Sequence, residues 1–256
     1  MPLVSVIVTT YNRKELLIET LNSILSQTFQ DFELIVVDNF SNYDFFSHIE
    51  SFNESKIKPF QNVNNGVIAI NRNFGLKKAT GKYIAFCDDD DVWFPDKLER
   101  QIEQCEMFQH NSNVLIYSEV LLFGGVVKEE ISNRKGVKNI NDLIKKNQIA
   151  LSSTFITNSE LLEFDEDPNL VTSEDYALWL KLISNGYLPL FIKKPLVRYR
   201  VSNNSAFATI STQVHIKNVY TLIRHVLKNG ISEVNYLGYF YRINIELFYF
   251  FRKNKN

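Results

Sequence analysis

Lys82-Tyr83-Ile84-Ala85-Phe86-Cys87-Asp88-Asp89-Asp90-Asp91-Val92-Trp93 decides the fold and suggests the chemistry. An apolar run of strand character ends in four consecutive carboxylates, followed at once by an aromatic. Four adjacent Asp side chains repel one another. At the mouth of a buried strand they also lose hydration, which a folded protein tolerates poorly without a cation nearby. Hard divalent ions supply that cation, because Mg²⁺ and Mn²⁺ prefer carboxylate oxygens and share their shell with substrate phosphates. A solvated acidic turn is the alternative for four Asp in isolation. Placement at the carboxyl end of an apolar strand, where open α/β sheets bind ligands, favours the metal.

Upstream, Leu3 to Val8 is a short buried strand that breaks at Thr9-Thr10-Tyr11-Asn12-Arg13. Leu16, Leu17, Thr20, Leu21, Ile24 and Leu25 then recur at helical spacing. Leu34 to Val37 is a second strand ending in Asp38-Asn39, and Ile57 to Phe60 a third. Asn71 to Ala79 reads as a helix closed by Gly81, and Pro95 opens another that runs to about His110. Strand and helix in alternation predict a mostly parallel sheet with helices on both faces. Three polar clusters, Thr9 to Asn12, Asp38-Asn39 and Asp88 to Asp91, then fall at one sheet edge, the layout of a nucleotide crevice. No glycine-rich dinucleotide fingerprint or P-loop is present, so phosphate charge would be neutralised by the metal.

Downstream, Val114 to Tyr117, Val120 to Phe123, Ile149 to Ile156, Leu188 to Ile192 and Leu196 to Arg200 read as strands. Gly124-Gly125 marks a turn, residues 128–139 a surface loop, and Ser173 to Ser184 an amphipathic helix. A boundary is expected near Ser202-Asn203-Asn204-Ser205, before helices around 209–228 and 233–252.

The chain of 256 residues suits one large domain, or a domain with an appendage. With 28 basic against 29 acidic residues, no global field argues for nucleic acid. Two cysteines, Cys87 and Cys105, give neither a zinc site of the usual spacing nor a disulfide framework, consistent with a reducing cytosol. Met1-Pro2-Leu3-Val4-Ser5 does not read as a signal peptide, and no window reaches the apolar length of a membrane span.

Ser5-Val6-Ile7-Val8-Thr9-Thr10-Tyr11-Asn12-Arg13 resembles the opening strand and turn of family 2 inverting glycosyltransferases of the GT-A fold, and Leu34 to Asn39 resembles their second strand. Asn71-Arg72-Asn73-Phe74-Gly75 with Ala79 to Phe86 is similar to the segment leading into their D-x-D motif. Thr172-Ser173-Glu174-Asp175-Tyr176 resembles their acidic "ED" motif, so the ordered resemblance spans about residues 3–205. It implies a GT-A (Rossmann-like) α/β fold at 1–205, with a nucleotide-binding half at 1–110, an acceptor-binding half at 111–205 and a C-terminal helical extension at 206–256.

The resemblance also implies roles. Thr9 and Tyr11 would line a uracil pocket, Asp38 would accept from the ring N–H, and Arg72 would reach the base or a phosphate. Asp90 would bind Mn²⁺ or Mg²⁺ directly, with Asp88 at the ribose or the metal's water shell and Asp89 on the donor side. Asp89 with Asp91 is the competing D-x-D frame. Asp91 would face the acceptor or cap the turn, and Trp93 would be structural or an acceptor-side wall. Val197-Arg198-Tyr199-Arg200-Val201-Ser202 resembles a segment that ends in a metal-side His in many members; here Ser202 stands in its place. Arg198 or Arg200 would meet the diphosphate, with only one of the two expected to point inward.

Inverting transfer needs one base opposite the leaving group, and the resemblance selects Asp175, with Glu174 orienting the acceptor or holding Asp175. Adjacent helix positions differ by about 100°, so one of the two faces the site squarely. The implied activity is transfer from a UDP-sugar to a hydroxyl of a lipid-linked or glycan acceptor, in surface polysaccharide assembly at the inner face of the cytoplasmic membrane. A metal-dependent nucleotidyltransferase or phosphohydrolase on a similar sheet, and a non-catalytic sugar-nucleotide module, are the alternatives. The aromatic stretch from Tyr236 to Phe251, with Arg252, Lys253 and Lys255, suits either a membrane interface through 236–255 or packing on its own domain or a second subunit.

Overall fold

The computed structural model describes residues 1–108, 113–125, 127–201, 212–229 and 236–253. The first half runs β1 (Val4–Thr10), α1 (Lys14–Leu25), β2 (Phe32–Asp38), α2 (Phe45–Glu50), β3 (Ile57–Gln61), α3 (Ile68–Lys78), β4 (Tyr83–Asp88), β5 (Val92–Trp93) and α4 (Lys97–Met107). The second runs β6 (Val114–Phe123), β7 (Glu130–Ile131), α5 (Ile140–Lys145), β8 (Phe155–Thr157), α6 (Glu174–Ser184), β9 (Leu188–Arg200), α7 (Thr212–Asn229) and α8 (Tyr236–Lys253).

All strands join one sheet in the order β3-β2-β1-β4-β8-β6-β9-β5, with β7 beside β6. The long ladders are parallel: β1 with β2, β1 with β4, β2 with β3, and β6 with β9. The antiparallel joins, β4 to β8, β8 to β6, β6 to β7 and β9 to β5, are two residue pairs each. The expected mostly parallel α/β sheet is present, and the antiparallel joins mark where the second half is added.

Side chains alternate across each strand, and both faces of the sheet are covered. Val4, Val6 and Val8 pack on Leu17, Leu21 and Ile24 of α1, whereas Ile7, Ile35, Val37 and Phe86 face the layer that holds Trp179 and Leu182 of α6. Burial on both faces is why β1 and β2 read as unbroken apolar runs. Leu222 of α7 and Tyr239 of α8 belong to the second layer, so the C-terminal helices pack on the domain. Phe240, Tyr241, Leu247 and Phe248 of α8 remain exposed. Among the described residues no helix is long and apolar enough to cross a membrane. The expected boundary at 202–205 lies outside the described residues.

Several local expectations change. The two short strands expected within 114–123 are one strand, whose register slips between Ser118 and Val120; a bulge absorbs the polar pair Ser118-Glu119. The two expected within 188–200 are likewise one strand. Residues 149–156 are not a continuous strand: Leu151–Ser153 form a 3₁₀ turn. There Ser153 Oγ and Thr154 Oγ1 donate to the carbonyls of Ala150 and Leu151, both at 2.7 Å, and so draw the backbone out of the ladder. Gly81 does not end a helix, since α3 closes at Ala79 in extended backbone. A Cβ at Gly81 would stand 2.6 Å from the Ser5 amide nitrogen, so close approach to β1 is what requires glycine there.

Register brings the polar ends together. Thr9 pairs with Asp88 across β1 and β4, and Thr10 with Asp38 across β1 and β2. The carboxyl ends of three neighbouring parallel strands thus deliver their polar residues to one edge.

Candidate active site

At that edge the turns after β1 and β2 are knitted together. Asn12 adopts φ +54°, a conformation Asn tolerates. Its amide donates to Ser41 Oγ at 2.7 Å, and its own side-chain oxygen accepts from the Asn42 amide at 2.7 Å. Thr9 is buried below, while Tyr11 is 54% exposed on the rim. Asp38 is fully buried and accepts from the Ser41 amide and Gln61 Nε2, both at 2.9 Å, and from the Ser41 hydroxyl.

The four carboxylates divide into pairs. Asp88 and Asp90 keep 30% and 22% of their side chains in solvent. Asp89 keeps 8% and is held by Thr10 Oγ1 at 2.7 Å and Arg13 Nη1 at 2.9 Å. Asp91 is 1% exposed; its Oδ1 accepts from the Arg200 amide at 2.9 Å. It therefore faces the interior, not the acceptor side where it was expected. Trp93 is also core: its indole N–H donates to Ser152 O at 3.0 Å, and Lys97 Nζ sits 3.8 Å from its ring centroid.

Burial, and then the charge of Asp88, push the Asp90 carboxyl up to about 6 against the pull of Arg13. Burial also raises Asp89, and raises Asp91 well above the ordinary carboxylate range with Asp88 and Asp90 adding to it. Arg200 clamps the turn from the side, its Nε donating to Asp90 O at 2.8 Å and its guanidinium pairing with Glu19. Arg198 instead pairs with Glu129. Both guanidiniums lie 4.4 Å from the Phe123 ring centroid, so the expectation that only one points inward is corrected: strand residues two apart share a face.

The second acidic element meets the first through one arginine. Arg72, buried on α3, donates from Nη2 to Asp88 Oδ1 at 3.0 Å and from Nη1 to Glu174 Oε1 at 2.6 Å, with its guanidinium 5.4 Å from the Phe164 ring centroid. Burial opposes its charge, but Asp88 and Glu174 more than offset that and hold it protonated. Glu174 and Asp175 open α6. The preceding Thr172 sits at φ +79°, an outlier for a β-branched residue that fixes how the chain enters the helix. Thr221 of α7 supports the same turn, donating to Ser173 Oγ at 3.0 Å. Asp175 is pushed up to about 7 by burial and then by Glu174, with Asp88 near enough to contribute. A carboxylate poised at neutral pH, beside a crevice edge, suits proton abstraction.

Among the described residues no three His, Cys, Asp or Glu side chains converge as a ready cage. The donor set still fits a hard ion: two partly exposed carboxylates, all oxygen, with the remaining positions left for phosphate and water. The place of Ser202 lies outside the described residues. A cavity of about 510 Å³ lies elsewhere, between α6, α7 and residues 161–166, and no residue of the acidic turn lines it. Arg13 is the site residue the sequence left without a role. Its signal was position, a cation at the same strand edge as four carboxylates.

A pH dependence follows. The native state keeps a proton on Asp90 up to about pH 6, whereas the unfolded chain releases it near the ordinary value of 3.8. Between those values the native state binds more protons, so this residue's contribution to stability falls as pH rises. His48 and His225, lowered by burial, act the other way, so the test is a difference. Asp90→Asn is expected to gain Tm relative to the wild type as pH rises from 4 to 7; a constant offset in paired melting curves contradicts this.

Comparison with known proteins bears on this geometry. The chain is 32% identical over 189 residues to the UDP-Glc:alpha-D-GlcNAc-diphosphoundecaprenol beta-1,3-glucosyltransferase WfaP of Escherichia coli, covering 73% of this chain and 72% of that protein. Its fold matches TarS residues 1–349 of S. aureus, solved with UDP-GlcNAc, with a TM-score of 0.67 at 21% identity, covering 95% of this chain and 80% of that one. It also matches the mannosyltransferase PcManGT of Pyrobaculum calidifontis, solved with GDP-Man and Mn²⁺, with a TM-score of 0.61 at 19% identity, covering 97% and 70%. The GT-A fold expected from the motifs is thereby established. The family model for glycosyl transferase family 2 matches residues 5–152, from the first strand through the acidic turn to the serine that supports it, and the chain belongs to that family.

Proposed function

We propose that this glycosyltransferase moves a hexose or N-acetylhexosamine from a UDP-sugar to a hydroxyl of a lipid-linked or glycan acceptor, with inversion, in bacterial surface polysaccharide synthesis. The observation that carries it is the Asp88–Arg72–Glu174 bridge, which ties the acidic turn to the start of the ED helix. The reading is supported by WfaP, whose name pairs a UDP-Glc donor with a β linkage. UDP-glucose carries its sugar in the α configuration, so a β product is the inverted one.

In this reading Tyr11 stacks on uracil and Thr9 borders it, with Asp38 reached once the Ser41 turn opens. The exposure of Asp88 and Asp90 supports them as the D-x-D pair over Asp89 and Asp91. Bound through Asp90, Mn²⁺ or Mg²⁺ would supply Lewis-acid neutralisation of the departing diphosphate. Arg200 braces that turn from beside the diphosphate. Asp175 takes the proton from the acceptor hydroxyl as its oxygen attacks the anomeric carbon, and Glu174, fixed by Arg72, orients the acceptor and raises the basicity of Asp175. The exposed aromatic face of α8 is assigned to the membrane surface that carries the acceptor, on its cytoplasmic side.

A thermal-shift panel tests the donor assignment. With Mn²⁺ present, UDP and UDP-sugars at about a hundred times Kd are expected to raise Tm by roughly 5–10 °C, while GDP-mannose does not. If no uridine nucleotide stabilises the protein, the donor assignment is wrong.

A further inference from the structure

Arg13 sits where a metal ion would act. One nitrogen, Nη1, donates to Asp89 Oδ1 and to Asp90 Oδ2, at 2.9 Å each. The two carboxylates are not equivalent partners. Asp89 is buried and also held by Thr10, whereas Asp90 is the partly exposed member assigned above to the metal. A guanidinium and a divalent cation repel each other and compete for the one carboxylate charge of Asp90, of which Arg13 holds Oδ2. Arg13 is built to yield. Half of its side chain is in solvent, and as the residue before α1 it makes no side-chain cap that movement would break.

We propose that Arg13 is a resident counter-ion of the acidic turn. It occupies Asp90 in the metal-free protein, pivots on Asp89 when nucleotide and metal are bound, and passes its free N–H groups to the diphosphate oxygens. The consequence is coupling: phosphate draws Arg13 off Asp90, so nucleotide raises metal affinity and metal alone binds weakly. This rests on the metal reading of Asp90 and adds to it an internal competitor.

The test is Mn²⁺ binding by the full chain, followed through the electron paramagnetic resonance signal of free Mn²⁺, with and without UDP. Arg13→Gln is expected to bind Mn²⁺ alone about tenfold more tightly than the wild type, and to show a smaller gain on adding UDP. Arg13→Lys, which keeps the charge, is expected to stay near the wild type. Melting curves confirm that the variants are folded. If Arg13→Gln binds Mn²⁺ alone no better than the wild type, Arg13 is not a competitor. If no variant binds Mn²⁺ in either condition, the metal reading itself fails and this proposal falls with it.

Discussion

Asp175→Asn is expected to lower kcat by about 10³-fold while leaving UDP affinity within a factor of two. The loss is chemical: an amide cannot accept the acceptor's proton as the new bond forms, and the nucleotide side of the crevice keeps every contact. Misfolding is not a competing explanation. Burial and Glu174 raise Asp175 to about 7, so near neutral pH the protonated and ionised forms are comparably populated, and an isosteric neutral amide is expected to leave Tm unchanged or higher. The same shift predicts that wild-type kcat rises with pH through about 7 as the carboxylate forms. Asp175→Glu is expected to keep partial activity. If Asp175→Asn transfers sugar within tenfold of the wild type, the base lies elsewhere.

Arg72→Ala is expected to remove activity and to cost about 3–5 kcal/mol of stability, lowering Tm by roughly 10 °C. The arginine satisfies Asp88 and Glu174 with separate nitrogens, and its removal strands Glu174 as a buried charge. Arg72→Lys is expected to recover only part of both, since an ammonium lacks the planar fork that spans two carboxylates. The mechanism has its own control: Glu174→Gln added to Arg72→Ala should restore much of the stability, because the stranded charge is gone, without restoring transfer. An Arg72→Ala variant that melts with the wild type would show that the bridge contributes nothing.

The edge of the sheet was legible because burial writes itself locally. The strands β1, β2 and β4 are covered on both faces, so each reads as an apolar run, and the polar residues that interrupt them are those the parallel register lines up. Pairings across the fold were not legible. Nothing near Arg72 announces Glu174, because that contact comes from how α3 and α6 pack on the sheet. Asp91 misled for a related reason. A turn of four acids reads as uniformly polar, yet the Arg200 amide reaches in from a distant strand and holds Asp91 inward. Residues 149–156 misled through composition: apolar neighbours suggest a strand, while the Ser and Thr hydroxyls bond back to the chain.

A base on one side of the anomeric carbon and a held diphosphate on the other have one stereochemical outcome, and the first-formed product reports it. Incubating the enzyme with the stabilising UDP-sugar and its acceptor, or with water alone, and reading the anomeric proton coupling by NMR before mutarotation, should give the β anomer from an α-linked donor. An α product would mean that the acceptor oxygen bonds on the face the diphosphate left, and Asp175 could not be the base of a single displacement.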